Sequence, residues 1–201
     1  MKFLSSFALV PLIFLSGCGS VSTNRIEPTT GPTPLSRPEH ITVMPFDSTD
    51  CQWILEVSSA DEAIIQNNFP AQLTETFADR LNQLIPSSVA NDVQHPNSWL
   101  IEGRLRKVQL PDPSLSNSKR KPSLLCTVFV FDLNRSRIQP FLTYDIEVKD
   151  VKLDPLATPP DNNEAQPEFL ALQKNEAARL LTLTLQEYMQ NRGWIEKGST
   201  N

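Results

Sequence analysis

The fold is decided by residues 99–108, which read WLIEGRLRKV. Within it, the apolar or small residues Trp99, Ile101, Gly103 and Leu105 alternate with the charged residues Glu102, Arg104 and Arg106. Since successive side chains of a β-strand point to opposite faces, this spacing predicts a strand with one face against a core and the other against water.

Two further segments are predicted as strands beside it. Residues 123–133 contain the apolar run VFVF, which is typical of a central strand covered on both faces. Residues 140–149 alternate again, and a shift of one residue would bury four polar side chains, so the inward set is Leu142, Tyr144, Ile146 and Val148. Residues 40–46 are rich in β-branched side chains and predict another strand, whereas residues 51–68 stay open between a short strand and a loop.

Two segments have the spacing of amphipathic helices. From Phe69 onward large apolar residues recur every fourth residue, namely Phe69, Leu73, Phe77, Leu81 and Ile85. Pro70 suits a first helical position. A proline ends this run, which predicts a helix over residues 70–85. Residues 168–190 carry a second apolar stripe, and Gly193 follows where a left-handed C-cap belongs, so that Trp194 can fold back onto the helix end.

The order of these segments is β–α–β–β–β–α, which predicts the α+β class. We expect a mostly antiparallel sheet of about four strands with two amphipathic helices packed on one face. The same segments give the domain boundaries, with one α+β domain over residues 40–196 and a disordered tail over residues 197–201.

Composition excludes some function classes. The chain has 201 residues, with 18 Lys and Arg against 23 Asp and Glu, a formal net charge of −5. Because a nucleic-acid binder needs a basic surface that outweighs its carboxylates, we expect no nucleic acid as a partner. The two histidines and three cysteines have no CxxC or HxxxH spacing, and the six glycines form no phosphate-binding loop, so we expect no metal and no cofactor.

The first residues read as an export signal. Lys2 is followed by an apolar run up to Leu15, which is too short to span a bilayer as a helix and has the length of a signal-peptide core. The sequence LSGC at residues 15–18 then resembles the lipobox of bacterial lipoproteins. In such proteins the signal, here residues 1–17, is removed, Cys18 is linked to diacylglycerol, and its new amine is acylated, with palmitate as the expected acyl group.

The resemblance to a lipobox implies an address as well as an anchor. Gly19 rather than Asp follows Cys18, which in such lipoproteins favours the outer over the inner membrane. Residues 18–39 are rich in Pro, Ser and Thr without apolar periodicity, and they are predicted to be the lipidated cysteine and an extended tether. The implied partner is the lipid bilayer, reached through acylated Cys18, with the domain facing the periplasm.

Several segments resemble a bacterial lipoprotein family known as domain-of-unknown-function family 4410. The matching segments are residues 41–46, 70–85, 99–105, 140–144 and 178–194. This resemblance lies in core positions rather than in a catalytic motif, and it implies an α+β lipoprotein. Two loops depart from the family pattern, since Ser, Asn, Lys and Pro stand where the family is rich in glycine. The layout also resembles periplasmic domains of auxiliary lipoproteins of transport and secretion systems, which act as adaptors.

No pair of residues stands out as catalytic. A nucleophile activated by a base would need His, but His40 begins a strand and His95 lies in a turn, and both are interpreted as surface residues. Asp145 and Glu147 are close in sequence, yet the alternation places both on the solvent face of one strand. A glycosidase-type carboxylate pair assembled from distant positions stays open.

Two further features allow more than one interpretation. Cys51 and Cys126 are the thiols left after lipidation of the anchor cysteine, and they can form a disulfide in an oxidising compartment, although Cys126 also fits a buried apolar position. The basic run Lys119, Arg120 and Lys121 can contact an anionic partner such as lipopolysaccharide or lipid headgroups, or can be a solubilising loop tip.

The sequence therefore favours a membrane-anchored envelope lipoprotein that is not an enzyme. It would act as an interaction or auxiliary component of a transport, secretion or assembly system, with a protein partner in the envelope. Two alternatives stay open: an envelope hydrolase with a dispersed carboxylate pair, and a carrier of small apolar ligands, which would need a cavity between the helices and the sheet.

Overall fold

Seven strands and two helices make up the structure, a computed structural model that describes residues 21–26, 33–34, 36–85, 89–90, 97–110, 122–149 and 165–196. In chain order the elements are β1 (Val21–Ile26), β2 (His40–Val43), β3 (Gln52–Leu55), α1 (Ser59–Leu84), β4 (Val89–Ala90), β5 (Ser98–Leu110), β6 (Ser123–Asp132), β7 (Leu142–Lys149) and α2 (Ala165–Asn191). The predicted α+β class with two helices on one sheet is confirmed.

The strands form one sheet in the order β1-β7-β6-β5-β2-β4, and β3 pairs with β5 further along the same edge as β2. The long pairings β5–β6, β6–β7 and β1–β7 are antiparallel, as expected. The short pairings of β2 and β3 with β5, and of β2 with β4, are parallel. Parallel neighbours need a crossover connection, and α1 provides it between β3 and β5.

Three strands were not among the four that the sequence predicts. β3 resolves the open stretch 51–68 in favour of a strand, and β4 is a two-residue strand at the sheet edge. β1 lies inside residues 18–39, the segment predicted as a tether, and it pairs with β7 in the register Val21↔Val148 to Ile26↔Thr143. The edge of β7 offers backbone hydrogen-bond partners to this polar segment. The sequence pattern of the segment does not indicate that pairing.

Helix α1 begins at Ser59, about ten residues before the predicted start at Pro70. The start is fixed by Ser58, whose Oγ accepts a hydrogen bond from the Asp61 N–H (3.2 Å) and donates to the Asp61 carboxylate (2.5 Å). Pro70 stands inside the helix, where it cannot donate a backbone hydrogen bond. Because Phe69 and Pro70 are both buried, packing offsets that loss, and the prediction of a start at Pro70 was wrong.

Helix α2 ends as the sequence predicts. Gly193 has a φ of +71°, the left-handed conformation that glycine adopts without a steric cost. The Gly193 N–H donates to Gln190 O (3.0 Å) and the Trp194 N–H donates to Met189 O (3.0 Å), which together form a Schellman cap. Trp194 folds back beside Tyr188 and the buried Trp99, with ring centres 6.3 and 5.8 Å away.

The core lies between the helices and the inner face of the sheet. The inward residues of the three long strands are buried, and the largest of them are Trp99, Ile101, Leu105, Leu124, Leu142, Tyr144 and Ile146. Phe77 and Leu81 of α1 and Leu181 of α2 are fully buried against them, as part of the same core. The Tyr144 hydroxyl donates to Leu181 O (3.4 Å), so the one polar atom of this side chain also has a partner.

Gly103 lies in the middle of β5, where the segment that joins β2 to β3 runs along the same edge of that strand. A Cβ placed on Gly103 would lie 2.2 Å from Cε1 of Phe46, so only glycine leaves room for that ring. Phe46 is also held to α1, because its N–H donates to Thr74 Oγ1 (3.0 Å) and its ring packs edge-on against Phe77 (6.3 Å between centres).

We expect Gly103→Ala to lower the free energy of unfolding by about 1–3 kcal/mol, because the added methyl displaces the Phe46 ring. A double-mutant cycle with Phe46→Leu, measured by chemical denaturation, isolates this contact. The cost of the alanine should fall clearly in the Phe46→Leu background. Equal costs in both backgrounds would show that the ring does not require this glycine.

Candidate functional site

The face of the sheet opposite the helices carries most of the polar side chains of the three long strands. We call this surface the open face and define it by Glu102, Arg104, Arg106 and Lys107 of β5, Thr127 and Phe129 of β6, and Asp145 and Glu147 of β7. Among them the two arginines are exposed, Thr127 is buried, and the others are half-buried. The rigid sheet therefore presents charges of both signs on neighbouring strands.

A β-bulge in β5 places two cationic side chains next to each other on the open face. The pairing of β5 with β6 shifts between Leu105, which faces Cys126, and Lys107, which faces Leu125, so Arg106 is an extra residue in β5. Val108 after the bulge is fully buried again, which leaves Arg106 and Lys107 together on the outer side. The two consecutive polar residues in the sequence LRKV are the signal for this bulge, because strict alternation would put one of them in the core.

A chain of hydrogen bonds joins three strands across the open face. Arg106 Nε donates to Thr127 Oγ1 (3.4 Å), and the Thr127 hydroxyl donates to Asp145 Oδ1 (2.7 Å). The short bond to a carboxylate is of the stronger, charge-assisted kind. It fixes the Asp145 side chain in place and gives buried Thr127 its partners.

The second arginine of the open face lies over an aromatic ring. The guanidinium carbon of Arg104 is 5.3 Å from the centre of the Phe129 ring, within the range of a cation–π contact. Arg104 is exposed and Phe129 is half-buried, so a binding partner would contact a guanidinium group that lies on an aromatic ring. Arginine and aromatic side chains are the types enriched in protein interfaces.

Asp47 borders the open face, and the sequence pattern does not single it out. Its backbone bridges β5, since its N–H donates to Gly103 O and its carbonyl accepts from the Leu105 N–H, both at 2.8 Å. The Thr49 hydroxyl, the Thr49 N–H and, more weakly, the charges of Arg104 and Arg106 lower the pKa of the Asp47 carboxyl. Asp47 therefore adds a negative charge beside the arginines at neutral pH.

Asp145 and Glu147, the two acidic residues that are close in sequence on β7, each have a structural partner. Asp145 accepts from Thr127, and Glu147 forms an ion pair with Lys149 (2.7 Å). His40 begins β2, and His95 lies outside the described residues. Within the ranges that the structure describes, no three His, Cys, Asp or Glu side chains come together as a metal site.

The two cysteines are free thiols, so the disulfide considered for Cys51 and Cys126 is not formed in the structure. Cys126 lies on β6 opposite Leu105, whereas Cys51 precedes β3 on the other side of β5. One strand between them implies a separation of about 10 Å, beyond the reach of a disulfide. Burial raises the pKa of Cys51 to about 11 and, together with the charge of Asp145, that of Cys126 to about 12, so both are protonated thiols at neutral pH.

The remaining predicted site residues lie outside the described residues. These are the lipidation candidate Cys18 and the basic run Lys119, Arg120 and Lys121. Their places in the chain are nevertheless informative, because Cys18 stands three positions before β1 and the basic run stands between β5 and β6. Among the described residues no helix is both long and apolar enough to cross a membrane.

No protein-family model matches the sequence, and no curated protein sequence matches it either. Solved structures with a similar fold include the PelC dodecamer from Paraburkholderia phytofirmans, at 8% identity and a TM-score of 0.45, covering 79% of this chain and 96% of that one. A protein of Xanthomonas campestris from domain-of-unknown-function family 330 aligns at 11% identity and a TM-score of 0.42, covering 81% of this chain and 94% of the other.

A candidate lipoprotein from Caulobacter crescentus is also similar, at 14% identity and a TM-score of 0.36, over 70% of this chain and 91% of that chain. These identities and scores describe a similarity of fold alone. The resemblance to family 4410 that the residues indicate therefore stays a prediction, and function has to be argued from the open face and the N-terminal segment.

Proposed function

We propose that this chain is a lipid-anchored protein of the bacterial envelope that acts by binding a protein partner rather than by catalysis. The lipobox-like sequence at residues 15–18 supports the anchor, with Cys18 carrying diacylglycerol and palmitate. Gly19 supports the outer membrane, and the domain would then face the periplasm. In this role the chain is an auxiliary component of an envelope transport, secretion or assembly system.

The observation that carries the binding role is the open face, above all the stack of Arg104 on Phe129. The open face carries three basic and three acidic side chains, so it suits a partner with its own mixed charges rather than a uniformly anionic polymer. The hydrogen bonds from Arg106 to Thr127 and from Thr127 to Asp145 hold these side chains in place before a partner binds. Ordering them before binding reduces the entropy lost on association.

We expect Cys18→Ser to release the protein from the membrane fraction of the producing bacterium, because the thioether to diacylglycerol cannot form. The measurement is immunoblotting of soluble and membrane fractions. Cys51→Ser is the matched control, since it replaces a half-buried thiol of the folded domain and should leave the protein in the membrane fraction. A Cys18→Ser protein that stays with the membranes would contradict the anchor.

We expect a photo-crosslinking amino acid at position 129 to capture a defined protein partner in intact cells, while the same group at exposed Ile138, outside the open face, captures none of it. Arg104→Glu should reduce the yield of that product about tenfold or more, because charge reversal at an interface arginine is costly. Arg137→Glu, a reversal at another exposed arginine, is the control. Equal yields for both reversals would exclude the open face as the binding surface.

A further inference from the structure

We infer that the end of the domain at which β1 begins rests on the lipid bilayer, with Leu172 of α2 and Ile64 of α1 in contact with the lipid headgroups and the adjoining acyl chains. We call this the anchor end and define it by the strand ends that meet there, Val21, Leu110 and Lys149. The inference rests on the proposed lipidation of Cys18 and adds how the domain lies on its membrane.

The sequence between the proposed anchor and the first strand is short. Val21 is the first residue of β1, and it pairs with Val148 at the end of β7. Three residue steps separate Cys18 from Val21, which span about 11 Å even when fully extended. A bilayer headgroup layer is roughly 5–8 Å thick, so a lipidated Cys18 holds the anchor end within a few ångströms of the headgroups.

Helix α2 reaches past the sheet at the anchor end. Its Tyr188 packs beside Trp99 at the start of β5, and its Gln173 donates from Nε2 to Gln109 O (3.3 Å) near the end of β5, so the helix runs antiparallel to that strand. α2 begins at Ala165, about 12 Å before Gln173, while β5 continues only to Leu110. The first two turns of α2 therefore extend past the sheet at the anchor end.

Two of the three large apolar side chains that are exposed in the described ranges lie near the anchor end. Leu172, 38% exposed, belongs to the turns of α2 that reach the anchor end. Ile64, 58% exposed, is in the second turn of α1, and α1 starts directly after β3, whose last residue pairs with Leu110. The third large apolar side chain exposed in the described ranges, Ile138, lies in the β6–β7 connection at the opposite end. An apolar side chain beside an acyl anchor gains by entering the headgroup boundary.

Site-directed nitroxide labelling of the full-length lipidated protein tests this placement. Three separate variants are prepared in a Cys51→Ser background, each carrying a single label. Leu172→Cys and Ile64→Cys place the label at the anchor end, and Ile138→Cys places it at the opposite end. Cys126 is fully buried and stays unlabelled. The protein is reconstituted into vesicles of phosphatidylethanolamine and phosphatidylglycerol, and the accessibility of each label to oxygen and to a water-soluble nickel chelate is measured by power saturation.

We expect the ratio of oxygen to nickel accessibility to be several-fold higher at positions 172 and 64 than at position 138. Equal ratios at all three positions would overturn the inference. Labels at 172 and 64 that are shielded from both reagents, as in a contact with a second copy of the chain, would overturn it too. In both cases co-flotation of the protein with the vesicles would still support the anchor. A protein that does not co-float would overturn the proposed anchor and this placement together.

Discussion

The contact of the Phe46 ring with Gly103 is the constraint on which the rest of the structure depends. It lets the segment between β2 and β3 follow one edge of β5 while the Phe46 ring fills the space over Gly103. Phe46 is also held to α1, because its N–H donates to Thr74 Oγ1 and its ring packs against Phe77. The missing Cβ of Gly103 therefore links β5, which pairs with β2, β3 and β6, to helix α1.

The division of the molecule into a covered and an open face follows from that arrangement. With α1 and α2 on the inner face, the outward side chains of β5, β6 and β7 need other partners, and they find them across the strands. The bulge at Arg106 adds one more cation to that face without disturbing the buried Leu105 and Val108. β5 therefore contributes both to the buried core and to the charges of the open face.

Much of this was predictable from local pattern, and the exceptions have physical reasons. Alternation located β5 and β7 and the side each residue faces, since a one-residue slip would bury charge. The start of α1 was misplaced because Phe69-Pro70 resembles a helix start, although Ser58 and Asp61 carried the true capping signal. Thr127 was missed because β6 reads as apolar on both faces. Its role depends on side chains of two other strands.

Pairings between distant segments were beyond the reach of local pattern. β1 has no apolar periodicity, and its position depends on the free edge of β7, far along the chain. The parallel pairing of β2 and β3 with β5 depends on the crossover through α1. If Cys18 is lipidated as proposed, the placement of β1 attaches the lipid to one end of the sheet, away from the open face.

The proposed anchoring of the domain through Cys18 can be tested by the mass of the N-terminal tryptic peptide from membrane-purified protein. We expect a peptide of residues 18–25 that begins at Cys18 and carries one diacylglyceryl and one acyl group. An unmodified peptide, or one that retains residues before Cys18, would contradict it.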